Sequence, residues 1–244
     1  MKQRLLLLLT ALCFGSTATF AQIDDFNISL QFGYNFSNLN PGVMNFTIDS
    51  TYIPNNPDDN PQMGNIRWTD GFSAGIGYHR RRASFRLHGH LLSGTTFATG
   101  ENAQGELIRT TVGFSGSSIG LDLTTELIDF DFFAVGVGTG LTMNNFQTQL
   151  SRVPVASFSE TDALPVISDD WKFGFKLHLP LRFKSPSYVA LSLEPYFLVF
   201  FSPVDFEPFN EALNGAGATQ GRLFDEMDHF GVNGSIIIYL FNRK

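Results

Sequence analysis

The chain has 244 residues, 16 of them basic and 23 acidic, for a net charge of −7, and a single cysteine. That balance, without a basic stripe, argues against a nucleic-acid-binding surface, and one cysteine excludes a disulfide framework. After the amino terminus no run reaches 18 consecutive apolar residues, so helical membrane spans are excluded as well.

Residues 1–21 read as a secretory signal peptide. Lys2 and Arg4 form its charged start, Leu5 to Phe14 its apolar stretch, and Gly15 to Ala21 a small-residue exit. Cleavage between Ala21 and Gln22 puts Thr19 and Ala21 at the two positions that must be small. It also removes Cys13, leaving a chain without cysteine and with a net charge of −9. Thiol nucleophiles and thiolate metal ligands are thereby excluded from the mature protein.

From Gln22 onward the pattern is period 2. Ile28, Leu30, Phe32, Tyr34 and Phe36 alternate with Asn27, Ser29, Gln31, Gly33 and Asn35. The same alternation recurs over Asp70–Arg80, Ala83–Ser93, Gly116–Leu127, Phe132–Met143, Asp170–Lys184, Tyr188–Phe201 and His229–Phe241, so eight strands are predicted, the first over Phe26–Ser37. Three connections are short, at Arg81–Arg82, Ile128–Asp131 and Ser185–Ser187. Four are long, at Asn38–Thr69, Gly94–Ser115, Asn144–Asp169 and Ser202–Asp228, and segments such as Asn55 to Pro61 read as exposed loop. An even strand number, with tight turns at one end and long loops at the other, predicts an all-β, eight-stranded antiparallel up-and-down transmembrane β-barrel spanning residues 22–244.

The charge distribution discriminates between a membrane barrel and a soluble one. None of the 37 positions on the apolar parity is charged, whereas a charged fraction of 16% predicts about six. A charge at the lipid midplane costs about 2–4 kcal/mol, which accounts for that exclusion. A soluble lipocalin-like barrel or sandwich would turn its polar face to water. It does not account for the alternation of loop lengths or for aromatics at strand ends, such as Phe72, Tyr78, Phe85, Trp171, Phe183 and Tyr188.

The signal peptide, the Gln22 start, the four long loops and the terminal strand Ile236–Phe241 resemble the small eight-stranded outer-membrane barrels. The nearest types are the OmpA-like and OmpX-like proteins and the PorT-like barrels of the Bacteroidetes. The resemblance covers the whole mature chain and is architectural, with no catalytic motif. It implies an outer-membrane protein of a Gram-negative cell envelope with periplasmic termini. Its implied partners are outer-membrane lipid and lipopolysaccharide, and an envelope protein reached through the loops. One departure is the ending Asn242-Arg243-Lys244, which lacks the terminal aromatic of the family.

The polar parity places Arg86, His88, His90, Asp122, Glu126, Lys172, Lys176, His178, Arg182 and Glu194 in the lumen. Counting up from the short turns sets Arg86 near Asp122 and Glu126, and Arg182 and His178 near Glu194. An eight-stranded barrel is just wide enough inside for side chains, so these charges must pair into a network that closes it. A gated pore with exchangeable ion pairs is the first alternative. Gly136, Gly138 and Gly140 face inward and make room for groups the size of Arg182. His88-Gly89-His90 shares a face as a metal pair could, yet it lacks a placed third ligand, so no metal and no cofactor is expected. A lipid-modifying enzyme, the second alternative, would need a histidine, serine or aspartate that reaches the outer face. Near the top of the seventh strand Tyr196–Phe201 is apolar on both faces, which predicts either a dry aromatic plug or an exposed contact surface. The expected function is therefore non-enzymatic, a structural or interaction role presented by the loops.

Overall fold

The computed structural model describes residues 26–39, 41–50, 64–102, 104–159, 163–185, 188–215 and 223–240. The signal-peptide segment with its Ala21–Gln22 junction, the Asn55–Pro61 stretch and the chain from residue 241 onward lie outside the described residues. The long strands are β1 (Phe26–Asn38), β2 (Thr69–Arg80), β3 (Ala83–Glu101), β4 (Leu107–Asp129), β5 (Phe133–Pro154) and β6 (Val166–His178). After them come β7 (Leu181–Lys184), β8 (Val189–Phe200), β9 (Val204–Asp205), β10 (Phe224–Asp225) and β11 (His229–Tyr239). Each stave pairs antiparallel with its sequence neighbour, and β11 pairs with both β8 and β1, which closes the ring. β6 and β7 are two halves of one stave, so the ring has eight.

That stave is split at Leu179-Pro180, where the sequence alone predicts a continuous strand over Asp170–Lys184. Proline has no N–H to give to the ladder. The carbonyl of Pro180 still accepts from Gly136 N at 2.9 Å, so the wall stays closed. A bulge at Leu127 shifts the β4–β5 register between Glu126 and Ile128.

Within the ring the lipid-type faces are as the alternation predicts. Phe32, Leu91, Leu141, Phe173, Leu191 and Ile236 point out and are exposed, with Phe173 at 61%. Asp122, Lys176, His178 and Glu194 point in, with Glu194 at 1%. A soluble barrel has the opposite arrangement, and so many contiguous exposed apolar groups are stable only against lipid.

The largest departure from the sequence reading lies at the long-loop end. The expected loops Gly94–Ser115 and Asn144–Asp169 are mostly strand: β3, β4 and β5 run 19, 23 and 22 residues. A span needs only about 9–11, so these three strands stand well above the bilayer as a projecting sheet. The pattern inverts where they leave the lipid. On β5 the outward row changes from Val137, Thr139, Leu141 and Met143 to Asn145, Gln147, Gln149 and Ser151. The inward row, glycine and threonine lower down, gains Phe146 and Leu150 on either side of Thr148, all three buried. Above the membrane the outside is wet and the inside must be dry, so the parity that marks a membrane strand reverses.

Two helices fill the mouth of the projection. In α1 (Gly42–Ser50), Met44 and Ile48 are one turn apart and fully buried. The Asn45 amide donates to the Ile66 carbonyl and its Oδ1 accepts from Ile66 N, both at 2.9 Å, which ties the helix to the chain entering β2. α2 (Glu207–Asn214) opens with Glu207-Pro208, buries Phe209 and Leu213, and ends at Gly215, whose φ of 92° is open to glycine. Asp225 accepts from Val43 N at 3.0 Å and so links the two capping segments. Together they form one apolar cluster with Val112, Phe114, Phe146, Leu150, Tyr196, Leu198 and Phe200. The upper part of β8 is thus a dry plug on its inward face, while Phe197 and Phe201 remain exposed outside.

Candidate functional site

Among the described residues charge is gathered away from water in the lumen, which is built in layers. At mid-height Lys176 of β6 projects inward with its Nζ 2.9 Å from both Asp122 Oδ2 of β4 and Glu194 Oε1 of β8. Arg86 of β3 lies on the other side of the same two carboxylates. It pairs with Asp122 and, at 2.6 Å, with Glu194, while its Nη1 donates to Gln31 Oε1 at 2.8 Å. His88 Nε2 lies 3.0 Å from Asp122 Oδ1, and His178 Nδ1 lies 3.3 Å from Glu194 Oε1. Two cations thus face two anions, with an imidazole against each carboxylate, and the layer is neutral as built.

A second pair sits lower. Arg182 Nη1 donates to Glu126 Oε1 at 2.6 Å and Nη2 to Ser84 Oγ at 3.3 Å. Of the pairings obtained by counting up from the turns, Arg86 with Asp122 and His178 with Glu194 hold, and two differ. Arg86 reaches across the lumen to Glu194 instead of down to Glu126, and Arg182 takes Glu126 instead of Glu194. Parity gives the face of a residue, but which residues meet across the lumen depends on the accumulated stagger of eight strands. Lys172 does not join this network. It lies four residues, or about 13 Å along the strand, above Lys176, and pairs with Asp170 at 2.8 Å.

His90 is set apart from the ions. Its Nδ1 accepts from the Asn35 amide at 3.0 Å, and Asn35 Oδ1 accepts from Tyr196 OH at 3.0 Å. The rings of His88 and His90 meet edge to face with centroids 4.6 Å apart, as packed aromatics do. Gln31, Asn35, Ser84 and Tyr196 thus belong to the lumenal network. The sequence signals them only by parity, because none of them carries a charge.

The inward glycines make this packing possible. A Cβ on Gly140 would lie 2.1 Å from Asp122 Oδ1, one on Gly138 2.1 Å from His178 Nε2, and one on Gly120 2.7 Å from His88 Nε2. The space they leave serves Asp122 and the two histidines. It does not serve Arg182, whose place beside Gly136 is taken by Thr124 and Pro180.

Ligand atoms of Asp122, His178 and Glu194 lie within 4.8 Å of one another, a spacing a metal ion could use. The Lys176 ammonium already stands between the two carboxylates, and with Arg86 it cancels their charge. A dication added there would leave the layer strongly positive in a low-dielectric site. All five histidines of the chain occupy inward positions, at 79, 88, 90, 178 and 229. His79 hydrogen-bonds Ser29 Oγ at 2.8 Å and His229 bonds the Met227 carbonyl at 3.1 Å. Between the ionic layer and the apolar cap lies a cavity of about 20 Å³, lined by His88, His90, Asn144, Tyr196 and others. It has room for about one water.

A closed ring of eight antiparallel staves, apolar outside and ion-paired within, decides the architecture. This chain folds as a small eight-stranded, antiparallel up-and-down membrane β-barrel. No protein-family model matches the sequence, and no curated protein matches it. Among solved structures, Ail, the attachment invasion locus protein of Yersinia pestis, is similar over 89% of this chain and 99% of its own, at 8% identity and a TM-score of 0.38. The outer membrane protease OmpT from Escherichia coli is similar over 91% of this chain and 97% of its own, at 9% identity and a TM-score of 0.28. At these values the assignment of the fold rests on the strand register of this barrel itself.

Proposed function

We propose that this protein is a non-enzymatic outer-membrane barrel whose lumen does not conduct and whose role is structural or interactive. The part above the membrane carries that role: the projecting sheet of β3–β5 and the two capping helices, with lipopolysaccharide or an envelope protein as its partner. The observation that supports this reading is the double closure of the lumen. A solute would have to part an ionic layer of two cations and two anions and also displace the buried side chains of the cap, with a water-sized void between them. Each barrier is costly by itself, since a buried ion separated from its partner costs several kcal/mol. β1 begins and β11 ends at the short-turn end, where Phe26 pairs with Arg80 and Ser29 with Tyr239. That supports periplasmic termini and an outward-facing projection, as would the secretory signal that the sequence predicts for residues 1–21.

Single-channel recording of the folded barrel in a planar bilayer tests the proposal. A baseline without steps across a range of voltages is the expected result. Reproducible, charge-selective steps would overturn it and make Arg86, Lys176 and Glu194 the residues lining a pore.

A further inference from the structure

We propose that the outer wall carries a binding groove for one glycolipid of the outer leaflet. One acyl chain would lie along the wall, and an uncharged, hydroxyl-rich headgroup would rest on a polar row above it. The inference rests on the outward orientation of the projecting end proposed above.

The groove is a concavity of about 600 Å³ on the lipid-facing side of β1 to β4, with Trp171 of β6 at its far margin. That volume lies in the range of sites that take small-molecule ligands. Its floor is made by two small residues that pair across β2 and β3, Ala74 and Gly89. Their neighbours in the same row are large, Phe32 beside Ala74 and Ile119 beside Gly89. One row higher, Phe72 and Leu91 are followed by Ser117, which pairs with Asn145, which in turn pairs with Trp171. A local distortion accompanies the dent. The β2–β3 ladder is interrupted between the Asp70–Ser93 and Ser73–His90 pairs, and a Cβ on Gly71 would lie 1.9 Å from the Leu91 carbonyl oxygen. The concavity is therefore a property of the wall, continuous with the apolar belt that the acyl chains of the bilayer already cover.

The headgroup class follows from the next row up. Asp70, Ser93, Ser115, Gln147 and Asp169 are successive partners across five strands. Asp70 accepts from Tyr34 OH, and Asp169 accepts from the Asn145 and Gln147 amides. The row offers hydroxyls, an amide and two carboxylates, but no cation. A phosphate there would face like charge without a partner, at a cost. Sugar hydroxyls both donate and accept, so a carboxylate, an amide or a serine can serve each of them.

The test uses the full mature chain in nanodiscs of phosphatidylethanolamine doped with monogalactosyl diacylglycerol or, at the same level and with the same chains, phosphatidylglycerol. Native mass spectrometry then counts the lipids kept after release from the disc. Gly89→Leu fills the groove, and the site tolerates it because a Cβ there meets nothing closer than the Ser118 carbonyl oxygen at 3.4 Å. Trp171→Ala removes a margin without touching the floor, which guards against a folding defect in the first variant. The expected result is one galactolipid retained by the native chain with about tenfold tighter binding than by either variant, a factor worth about 1.4 kcal/mol. Ser93→Ala with Gln147→Ala should abolish the preference for galactolipid while leaving one lipid bound. Equal retention by the native chain and Gly89→Leu would overturn the proposal. A preference for phosphatidylglycerol, or a lipid-free dimer joined through this face, would overturn it too. Conductance of the same preparation reports separately on the sealed-barrel reading.

Discussion

Replacing Lys176 by Met isolates the electrostatic logic of the lumen. The methionine stem matches most of the lysine volume, so the change removes a charge and leaves little cavity. What remains is Asp122 and Glu194, which had shared one ammonium at 2.9 Å each, now facing the single guanidinium of Arg86. One buried negative charge is uncompensated. Removing one partner of a buried, hydrogen-bonded ion pair costs about 3–5 kcal/mol, and here two pairs are lost, so the upper part of that range is expected. A second substitution gives a sharper test. Lys176→Met with Glu194→Gln leaves Asp122 paired with Arg86, a neutral layer, and should recover at least about 1–3 kcal/mol of the loss. The assay is urea unfolding in lipid vesicles, followed by tryptophan fluorescence and by heat-modified electrophoretic mobility. A single variant less than about 1 kcal/mol below the native chain would refute the charge argument. So would a double variant less stable than the single one.

Three further outcomes are expected. Gly140→Ala should lower stability by about 1–3 kcal/mol in the same assay, because its Cβ would fall 2.1 Å from Asp122 Oδ1 and force the carboxylate out of its layer. On the outward face of β5, Leu141→Arg should cost about 2–4 kcal/mol, since Leu141 is 61% exposed on the lipid belt. Gln147→Arg, six residues further along the same face, should change stability by less than about 0.5 kcal/mol; equal costs at the two sites would mean that the membrane boundary is misplaced. Phe209→Ala removes a fully buried ring from the cap and should speed proteolysis of the segment between β8 and β11, at a local cost of about 3–5 kcal/mol. Its conductance should stay at baseline, because the ionic layer below is untouched.

The sequence by itself determined the part of the protein that touches lipid. A charge on the outer face of a membrane strand is so costly that alternation survives in every stave. The eight strands, the short turns and the inward placement of Arg86, Asp122, Lys176 and Glu194 are all legible for that reason. The upper halves of β3, β4 and β5 were not legible, because the solvent changes at the bilayer surface and the alternation changes with it. Gln147 and Gln149 are polar outside while Phe146 and Leu150 are buried inside, the mirror image of the membrane pattern, and this reads as loop when one parity is followed along the chain. Contacts between adjoining strands, such as Arg86 with Asp122, could be counted from the turns, but those across the lumen needed the tertiary structure. Arg86 and Glu194 lie 108 positions apart and meet across the barrel at a height set by strand stagger, one bulge and one proline break. Alternation has a period of two residues along a single strand, and so holds no information about distance across a ring.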